Sequence, residues 1–163
     1  MKILYIGSGY VGTCSAAVMA DSGHDVLVYD IDPKKIKMLA SNNVEEIEAV
    51  LLEDGLCKML TANKERITFT ANYKDVVGAL DDADAVFMCL PTPEKDGAEG
   101  ESDLSYYYKA AETLAENLTK RNSGKQSKYI VIVNKSTVPV NMINMTAKIT
   151  LATIIKSAIR SIK

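Results

Sequence analysis

Residues 3–12 read Ile3-Leu4-Tyr5-Ile6-Gly7-Ser8-Gly9-Tyr10-Val11-Gly12, an apolar run that leads directly into a Gly-x-Gly-x-x-Gly pattern. The run predicts a buried parallel strand, and the glycines predict a tight turn into a helix. Gly7 permits the turn, Gly9 permits a close approach of phosphate, and Gly12 permits close packing of helix on sheet. A pyrophosphate would meet unpaired N–H groups and partial positive charge at the helix N-terminus. The stretch therefore predicts a dinucleotide-binding turn.

A second apolar run, Val26 to Tyr29, ends at Asp30. This spacing is about that of the acid that binds a ribose diol in dinucleotide-binding βαβ units. A carboxylate there favours NAD over NADP because it would repel a 2′-phosphate. Lys35 lies near enough to weaken that preference without reversing it. The alternative, a structural glycine turn followed by a surface aspartate, accounts for fewer of these features together.

Further along the chain, strand-like runs alternate with segments of helical periodicity. We expect strands at 67–70, 85–90 and 129–133, and helices at 13–21, 33–40, 44–62, 73–80 and about 103–119. Within 73–80, Val76, Val77 and Leu80 are expected to face inward. The alternation predicts an α/β fold of the Rossmann type, a doubly wound parallel sheet with helices on both faces.

The composition is typical of a single globular domain in the cytoplasm. The chain has 163 residues, of which 47% are hydrophobic and 25% charged, and it contains no signal peptide or apolar run of membrane-spanning length. Its three cysteines lack metal-ligand spacing, and His24 is its only histidine, so we expect no metal site and no histidine relay. Residues 117–163 carry nine basic and no acidic side chains. These are scattered and lack interleaved aromatics, so no nucleic-acid partner is expected.

Five short motifs occur in order along the chain. They are Gly7–Gly12, Asp30-Ile31-Asp32, Leu90-Pro91-Thr92-Pro93, Asp103-Leu104-Ser105-Tyr106 and Lys135-Ser136-Thr137-Val138-Pro139-Val140. Together they resemble the UDP-glucose/GDP-mannose dehydrogenase family, over residues 1–140 and for its N-terminal NAD-binding domain alone. The resemblance implies an enzyme that oxidises the C6 alcohol of a nucleotide sugar to a carboxylate with NAD⁺.

The resemblance also implies an NAD site made of three groups of residues. The pyrophosphate would lie on the backbone of Gly7, Ser8, Gly9, Tyr10, Val11 and Gly12. Asp30, with Lys35 beside it, would hold the adenosine ribose. Leu90, Pro91 and Thr92 would lie where the dinucleotide crosses the sheet, and Ser136 and Thr137 would approach the nicotinamide. Thr92, Ser136 and Thr137 would also suit turn and capping positions, which is their alternative role.

The sequence departs from the family pattern in its second half. The family's Pro-Glu-Phe segment with an active-site Glu, its later Lys and its nucleophilic Cys in a glycine-rich loop do not occur in it. Cys14 and Cys57 are expected on helices, and Cys89 at a strand end without a base to form its thiolate. We therefore expect no catalytic residue in this chain. It should bind NAD(H) without turnover, with a nucleotide sugar as partner only in a complete enzyme.

The last residues show an amphipathic pattern. Apolar side chains recur at helical spacing at Leu151, Ile154, Ile155, Ala158, Ile159 and Ile162. We expect one domain overall, with 1–140 as the NAD-binding part and 141–163 as a helix packed on it or extending from it. We expect that helix to cover the sheet and expect no membrane partner; the alternative is that its basic face binds a partner or a membrane surface. We predict that its apolar stripe supports a homodimer.

Two other functions stay open at this point. One is a stand-alone NAD-dependent hydroxyacid dehydrogenase, which needs a lysine or comparable acid–base group on a following helical domain. The other is a non-enzymatic NAD(H) sensor.

Overall fold

A computed structural model describes residues 1–95, 100–122 and 129–137. The strands are β1 (Lys2–Ile6), β2 (Asp25–Tyr29), β3 (Ile67–Thr70), β4 (Ala85–Met88) and β5 (Val131–Asn134). The helices are α1 (Tyr10–Asp21), α2 (Pro33–Leu39), α3 (Val44–Val50), α4 (Leu56–Ala62), α5 (Tyr73–Ala79) and α6 (Ser105–Asn122). The helix expected at 141–163, and with it the boundary at residue 140, lies outside the described residues.

The five strands form one parallel sheet in the order β3-β2-β1-β4-β5. The chain runs outward from β1 to β3, then crosses back to β4 on the other side of β1. Because right-handed crossovers on the two sides of such a reversal lie on opposite faces, this is a doubly wound sheet. The predicted fold class is confirmed. β1 stands at the switch point, and the glycine-rich turn follows it directly.

The core around β1 is built from branched strand residues and small helix residues. Residues 3–6 of β1 are at most 3% exposed, as expected for a central parallel strand. Ala16, Ala17 and Ala20 of α1 are fully buried against this core, so the helix backbone approaches the sheet closely. The ring of Tyr5 stacks on Phe87 of β4 with their centroids 4.8 Å apart.

The structure corrects the prediction of a single helix over 44–62. Two helices occur instead, α3 and α4, separated by residues 51–55. Gly55, at the start of α4, has φ +79°, which a helix interior does not allow. Leu52, whose place in the apolar spacing of this segment suggests a buried side chain, is 75% exposed. The apolar spacing continues across the break and therefore concealed it.

Other boundaries differ by smaller amounts. Helix α1 begins at Tyr10 rather than at residue 13, because the second half of the glycine pattern is already helical. Strand β4 ends at Met88 instead of continuing to residue 90, and β5 covers 131–134 instead of 129–133. Val77 is 40% exposed, so it does not face inward as predicted. Asp32 caps α2 as its position suggests, accepting hydrogen bonds from the N–H groups of Lys34 and Lys35.

The described residues belong to two compact units. The first contains residues 1–89 and β5, and the second contains residues 90–95, 100–122 and 136–137. In the second unit, Asp103 Oδ1 accepts a hydrogen bond from the N–H of Ser105 at the start of α6. One face of α6 is buried, and it carries Tyr107, Ala111, Leu114 and Leu118. No helix in the described ranges is both long enough and apolar enough to cross a membrane.

Candidate dinucleotide-binding site

The turn after β1 begins at Gly7. Its φ is +103°, in the region where an L side chain is strained. Its N–H donates to the carbonyl oxygen of Tyr29 at 2.8 Å, which continues the pairing of β1 with β2 by one residue beyond the strands. The chain then leaves the sheet, and this geometry brings Ser8 beside Asp30.

Gly12 and Gly9 lack side chains for different reasons. A Cβ on Gly12 would overlap the carbonyl oxygen of Gly7 and would lie 3.2 Å from the Cβ of Cys89. A Cβ on Gly9 would meet no other protein atom within 4 Å. Glycine at position 12 is therefore required by the fold itself. The space in front of Gly9 is open, as a ligand that approaches the backbone would need.

The N-terminus of α1 faces this open space without a side-chain cap. Gly9 is its N-cap residue, and within residues 1–95, 100–122 and 129–137 no side chain caps the first N–H groups of the helix. Tyr10 and Val11 are each about half exposed, at 51%. Uncapped N–H groups at a helix N-terminus are suited to bind the oxygens of a phosphate.

Asp30, just past β2, accepts four hydrogen bonds. Its Oδ2 accepts from the N–H of Ser8 at 2.8 Å, from the Ser8 hydroxyl at 2.7 Å and from Lys35 Nζ at 3.0 Å. Its Oδ1 accepts from the N–H of Asp32 at 3.1 Å. The side chain of Asp30 is 12% exposed, so the carboxylate is held in place but keeps an edge open to solvent.

The Asp30 carboxyl is ionised at neutral pH. Burial alone would raise its pKa. The hydroxyl and N–H of Ser8, the Lys35 ammonium and the N–H of Asp32 outweigh burial and hold the pKa below its ordinary value. A fixed negative charge at the end of β2 suits ribose hydroxyls and disfavours a 2′-phosphate.

Two further residues organise the turn, and sequence reasoning missed both roles. The hydroxyl of Thr13, which is fully buried, donates to the carbonyl oxygen of Ser8 at 3.0 Å. The hydroxyl of Tyr10 accepts from the N–H of Leu52 at 3.1 Å and so connects α1 to the segment between α3 and α4. A polar residue within the otherwise small and apolar face of α1 was the available signal for Thr13.

The second unit contains the other candidate residues. The N–H of Leu90 donates to the hydroxyl oxygen of Ser136 at 2.9 Å, so the structure joins two segments that the sequence separates by 46 residues. Pro91 and Thr137 are exposed, and Thr92 is half-buried. The Leu90–Ser136 bond is also what a purely structural role for Ser136 would produce.

The cysteines nearest the glycine turn are not activated. Cys89 is buried, and burial raises the pKa of its thiol to about 11 despite the opposing charge of Lys135. Burial also raises the pKa of Cys14, which is half-buried against the core. A neutral thiol is a poor nucleophile.

The glycine turn, the uncapped helix and the fixed aspartate together match a known domain. The model of the UDP-glucose/GDP-mannose dehydrogenase family, NAD binding domain, matches residues 1–161. The chain belongs to this family. Its cofactor is accordingly NAD, which confirms the cofactor and the resemblance predicted from the sequence motifs.

Curated proteins similar to this family member are longer. A UDP-glucose 6-dehydrogenase of Rhizobium meliloti (strain 1021) is 39% identical over 142 residues, which cover 86% of this chain and 29% of that protein. The UDP-glucose 6-dehydrogenase TuaD of Bacillus subtilis (strain 168) is 37% identical, and the match covers 85% of this chain and 27% of that protein. The chain thus spans less than a third of the length of these relatives.

Solved structures of dehydrogenases share the fold. A UDP-glucose dehydrogenase from Pyrobaculum islandicum has a TM-score of 0.75 and 26% identity, and the match covers 99% of this chain and 34% of that one. A GDP-mannose dehydrogenase from Pseudomonas aeruginosa has a TM-score of 0.76 and 24% identity, with coverage of 97% and 32%. The second likeness concerns the fold alone.

Proposed function

We propose that this chain binds NAD(H) through the turn at residues 7–12 and through Asp30, as the cofactor domain of a nucleotide-sugar 6-dehydrogenase. One observation carries the proposal: the ionised carboxylate of Asp30 is fixed beside a turn whose Gly9 leaves open space in front of an uncapped helix. This arrangement offers hydrogen-bond donors for a diphosphate and an acceptor for a ribose.

The residues of the first unit fit the two ends of an ADP moiety. The N–H groups of Tyr10, Val11 and Gly12 would bind the pyrophosphate oxygens, and Gly9 would allow their approach. Asp30 would accept hydrogen bonds from ribose hydroxyls. Lys35 would balance the charge of the carboxylate from 3.0 Å away. Bound NAD⁺ would supply a nicotinamide ring that accepts hydride.

We extend the proposal to Leu90, Pro91, Thr92, Ser136 and Thr137 as contacts of the nicotinamide half. They follow β4 and β5 in the sequence, at the carboxyl ends of two neighbouring strands, where doubly wound folds bind their ligands. The bond between Leu90 and Ser136 supports a shared role for the two segments.

The names of the relatives suggest the chemistry of the complete enzyme. We propose oxidation of the C6 alcohol of a nucleotide sugar to a carboxylate, in the cytoplasm, in support of polysaccharide biosynthesis. UDP-glucose is the first substrate to test, because the similar curated proteins carry its name.

We further propose that residues 1–140 form the NAD-binding part and that the apolar stripe within 141–163 supports a homodimer. Light scattering that shows a monomer at high concentration would contradict the homodimer.

Calorimetric titration of the 163-residue polypeptide with NAD⁺ and NADH tests the proposed binding. Asp30→Ala should weaken binding by about 1.5–3 kcal/mol, because it removes a charge-assisted hydrogen bond to the ribose. Asp54→Ala, an exposed aspartate between α3 and α4, is the matched control and should leave the affinity unchanged. Absence of binding by the wild type, or unchanged affinity in Asp30→Ala, would contradict the proposal.

A second assay addresses turnover. The same polypeptide is incubated with NAD⁺ and either UDP-glucose or GDP-mannose, and NADH is followed by absorbance. We expect binding of the cofactor without NADH formation, since the family's segments with the active-site Glu, the Lys and the nucleophilic Cys do not occur in residues 1–163. Steady NADH production would show that residues within 1–163 suffice for the chemistry.

A further inference from the structure

The side chain of Ser8 lies at the centre of the turn but cannot touch a ligand. Ser8 is fully buried, although it stands between Gly7 and Gly9. Its hydroxyl donates to Asp30 Oδ2 at 2.7 Å, and its N–H donates to the same oxygen at 2.8 Å. The partner through which this hydroxyl can act on a bound dinucleotide is therefore Asp30.

The two oxygens of the Asp30 carboxylate have different surroundings. Oδ2 accepts three hydrogen bonds, two from Ser8 and one from Lys35. Oδ1 accepts from the N–H of Asp32, and from no other group in the described part of the chain. Since each carboxylate oxygen has two lone pairs, the three donors to Oδ2 occupy that oxygen fully, whereas Oδ1, with one donor, keeps a lone pair for a ligand.

We propose that Ser8 is a positioning residue for coenzyme recognition: its hydroxyl holds Oδ2 of Asp30 so that Oδ1 is presented to the ribose hydroxyls. The inference rests on the proposed function, because it requires Asp30 to bind the ribose. The inference gives Ser8, which stands between the first two glycines of the pattern, a role in recognising the ligand.

The hydroxyl is needed because the other donors do not restrain the carboxylate sufficiently. The χ2 angle of an aspartate has a broad, soft profile, and one backbone N–H on each oxygen, from Ser8 at 2.8 Å and from Asp32 at 3.1 Å, leaves the carboxylate able to tilt. Lys35 can follow such a rotation, since its ammonium is carried on a flexible stem and its side chain is 27% exposed. Two donors from one rigid residue define the orientation. Ser8 is itself held by the Thr13 hydroxyl on its carbonyl oxygen.

The test compares NAD⁺ with an NAD⁺ analogue that lacks the adenosine 2′-hydroxyl, each titrated by calorimetry. The ratio of the two dissociation constants reports the contact between Asp30 and the ribose. We expect a ratio of about tenfold or more for the wild type and of less than about threefold for Ser8→Ala. Ser22→Ala removes a hydroxyl at the other end of α1, one that donates to the carbonyl of Val18, and should keep the wild-type ratio.

A merely structural role for Ser8 predicts a different result. In that case the affinities of Ser8→Ala for both ligands would fall by the same factor. The ratio of dissociation constants would not change, which would overturn the inference. Circular dichroism verifies the fold. Ser8→Cys, with a similar volume and a weaker donor, should give an intermediate ratio, and it replaces Ser8→Ala if that variant does not fold.

Asp30→Ala separates failure of this inference from failure of the proposed function. If Asp30 binds the ribose, Asp30→Ala lowers the ratio, and adding Ser8→Ala lowers it no further. A ratio that stays at the wild-type value in Asp30→Ala would refute the ribose contact and the inference with it. A lowered ratio in Asp30→Ala with a wild-type ratio in Ser8→Ala would refute the role of Ser8 alone.

Discussion

Gly12 faces the carbonyl oxygen of Gly7 across the turn so closely that a Cβ at position 12 would overlap it. The same Cβ would lie 3.2 Å from the Cβ of Cys89 on the other side. The obstructing atom at Gly7 belongs to the backbone, so it cannot move aside as a flexible side chain could. The close approach is therefore possible only because residue 12 has no side chain.

Gly12→Ala should therefore destabilise the protein. Overpacking of this kind costs about 1–3 kcal/mol, and urea unfolding followed by circular dichroism measures it. Gly78→Ala is the matched control, because a Cβ there meets no atom within 4 Å and the residue lies inside α5. It should be neutral or stabilising by up to about 1 kcal/mol. Equal stability changes in the two variants would contradict the close contact.

Gly9→Ala should preserve the fold and weaken binding of the cofactor. The φ of Gly9 is −71°, which alanine adopts readily, and its Cβ would meet no protein atom. The methyl group would project into the space proposed for the pyrophosphate, so we expect a loss of NAD⁺ affinity of about tenfold or more. Calorimetry measures the affinity, and urea unfolding is the control for stability. Undiminished affinity would argue that phosphate does not approach Gly9.

Thr13→Val should destabilise the turn. The variant keeps the shape of the side chain but leaves the buried carbonyl of Ser8 without the 3.0 Å hydrogen bond that Thr13 donates. We expect a loss of about 1–3 kcal/mol in the free energy of unfolding. Thr113→Val removes the corresponding hydroxyl from an exposed site on α6, where it donates to the carbonyl of Lys109, and should cost less than about 0.5 kcal/mol. A smaller cost at Thr13 than at Thr113 would contradict this account.

The pH dependence of stability should report the Asp30 network. The pKa of Asp30 in the folded protein lies below the ordinary value of an aspartate, so the carboxylate stabilises the fold at higher pH. That contribution is lost as the pH falls through the folded-state pKa. Asp30→Asn resembles the protonated acid, so the gap between wild type and variant should be widest near neutral pH. It should narrow below about pH 4. Thermal unfolding between pH 3 and pH 7 measures the gap, and a gap that widens on acidification would contradict the prediction.

Cys89 should resist alkylation in the folded protein. Burial raises the pKa of its thiol to about 11, so that about one part in a thousand is ionised at pH 8. Iodoacetamide should modify it at least about 100-fold more slowly than in urea, where all three cysteines react. Mass spectrometry of the digested protein follows each site. Similar rates of Cys89 modification in folded and unfolded protein would show an accessible, ionised thiol.

The fold class could be predicted because each element of the sheet carries its own local signal. The run at residues 3–6 is apolar on both faces, Asp32 and Pro33 mark the start of α2, and the glycine pattern marks the turn. The break between α3 and α4 could not be predicted, since the apolar spacing runs on through it. Only the positive φ of Gly55 and the exposure of Leu52 reveal it.

Some features of the candidate site could likewise be predicted from the sequence, and others could not. The glycines at 7, 9 and 12 and the acid at 30 were sufficient to predict a dinucleotide-binding site. The short motifs were sufficient to indicate the family. Both predictions depend only on residue type and on order along the chain. The hydrogen bonds of Ser8 and Lys35 to one oxygen of Asp30, and of Thr13 to Ser8, are decided by the tertiary structure alone. Their geometry arises only when β1 and β2 pair in register and the chain turns at Gly7, so that groups 22 residues apart come within hydrogen-bonding distance.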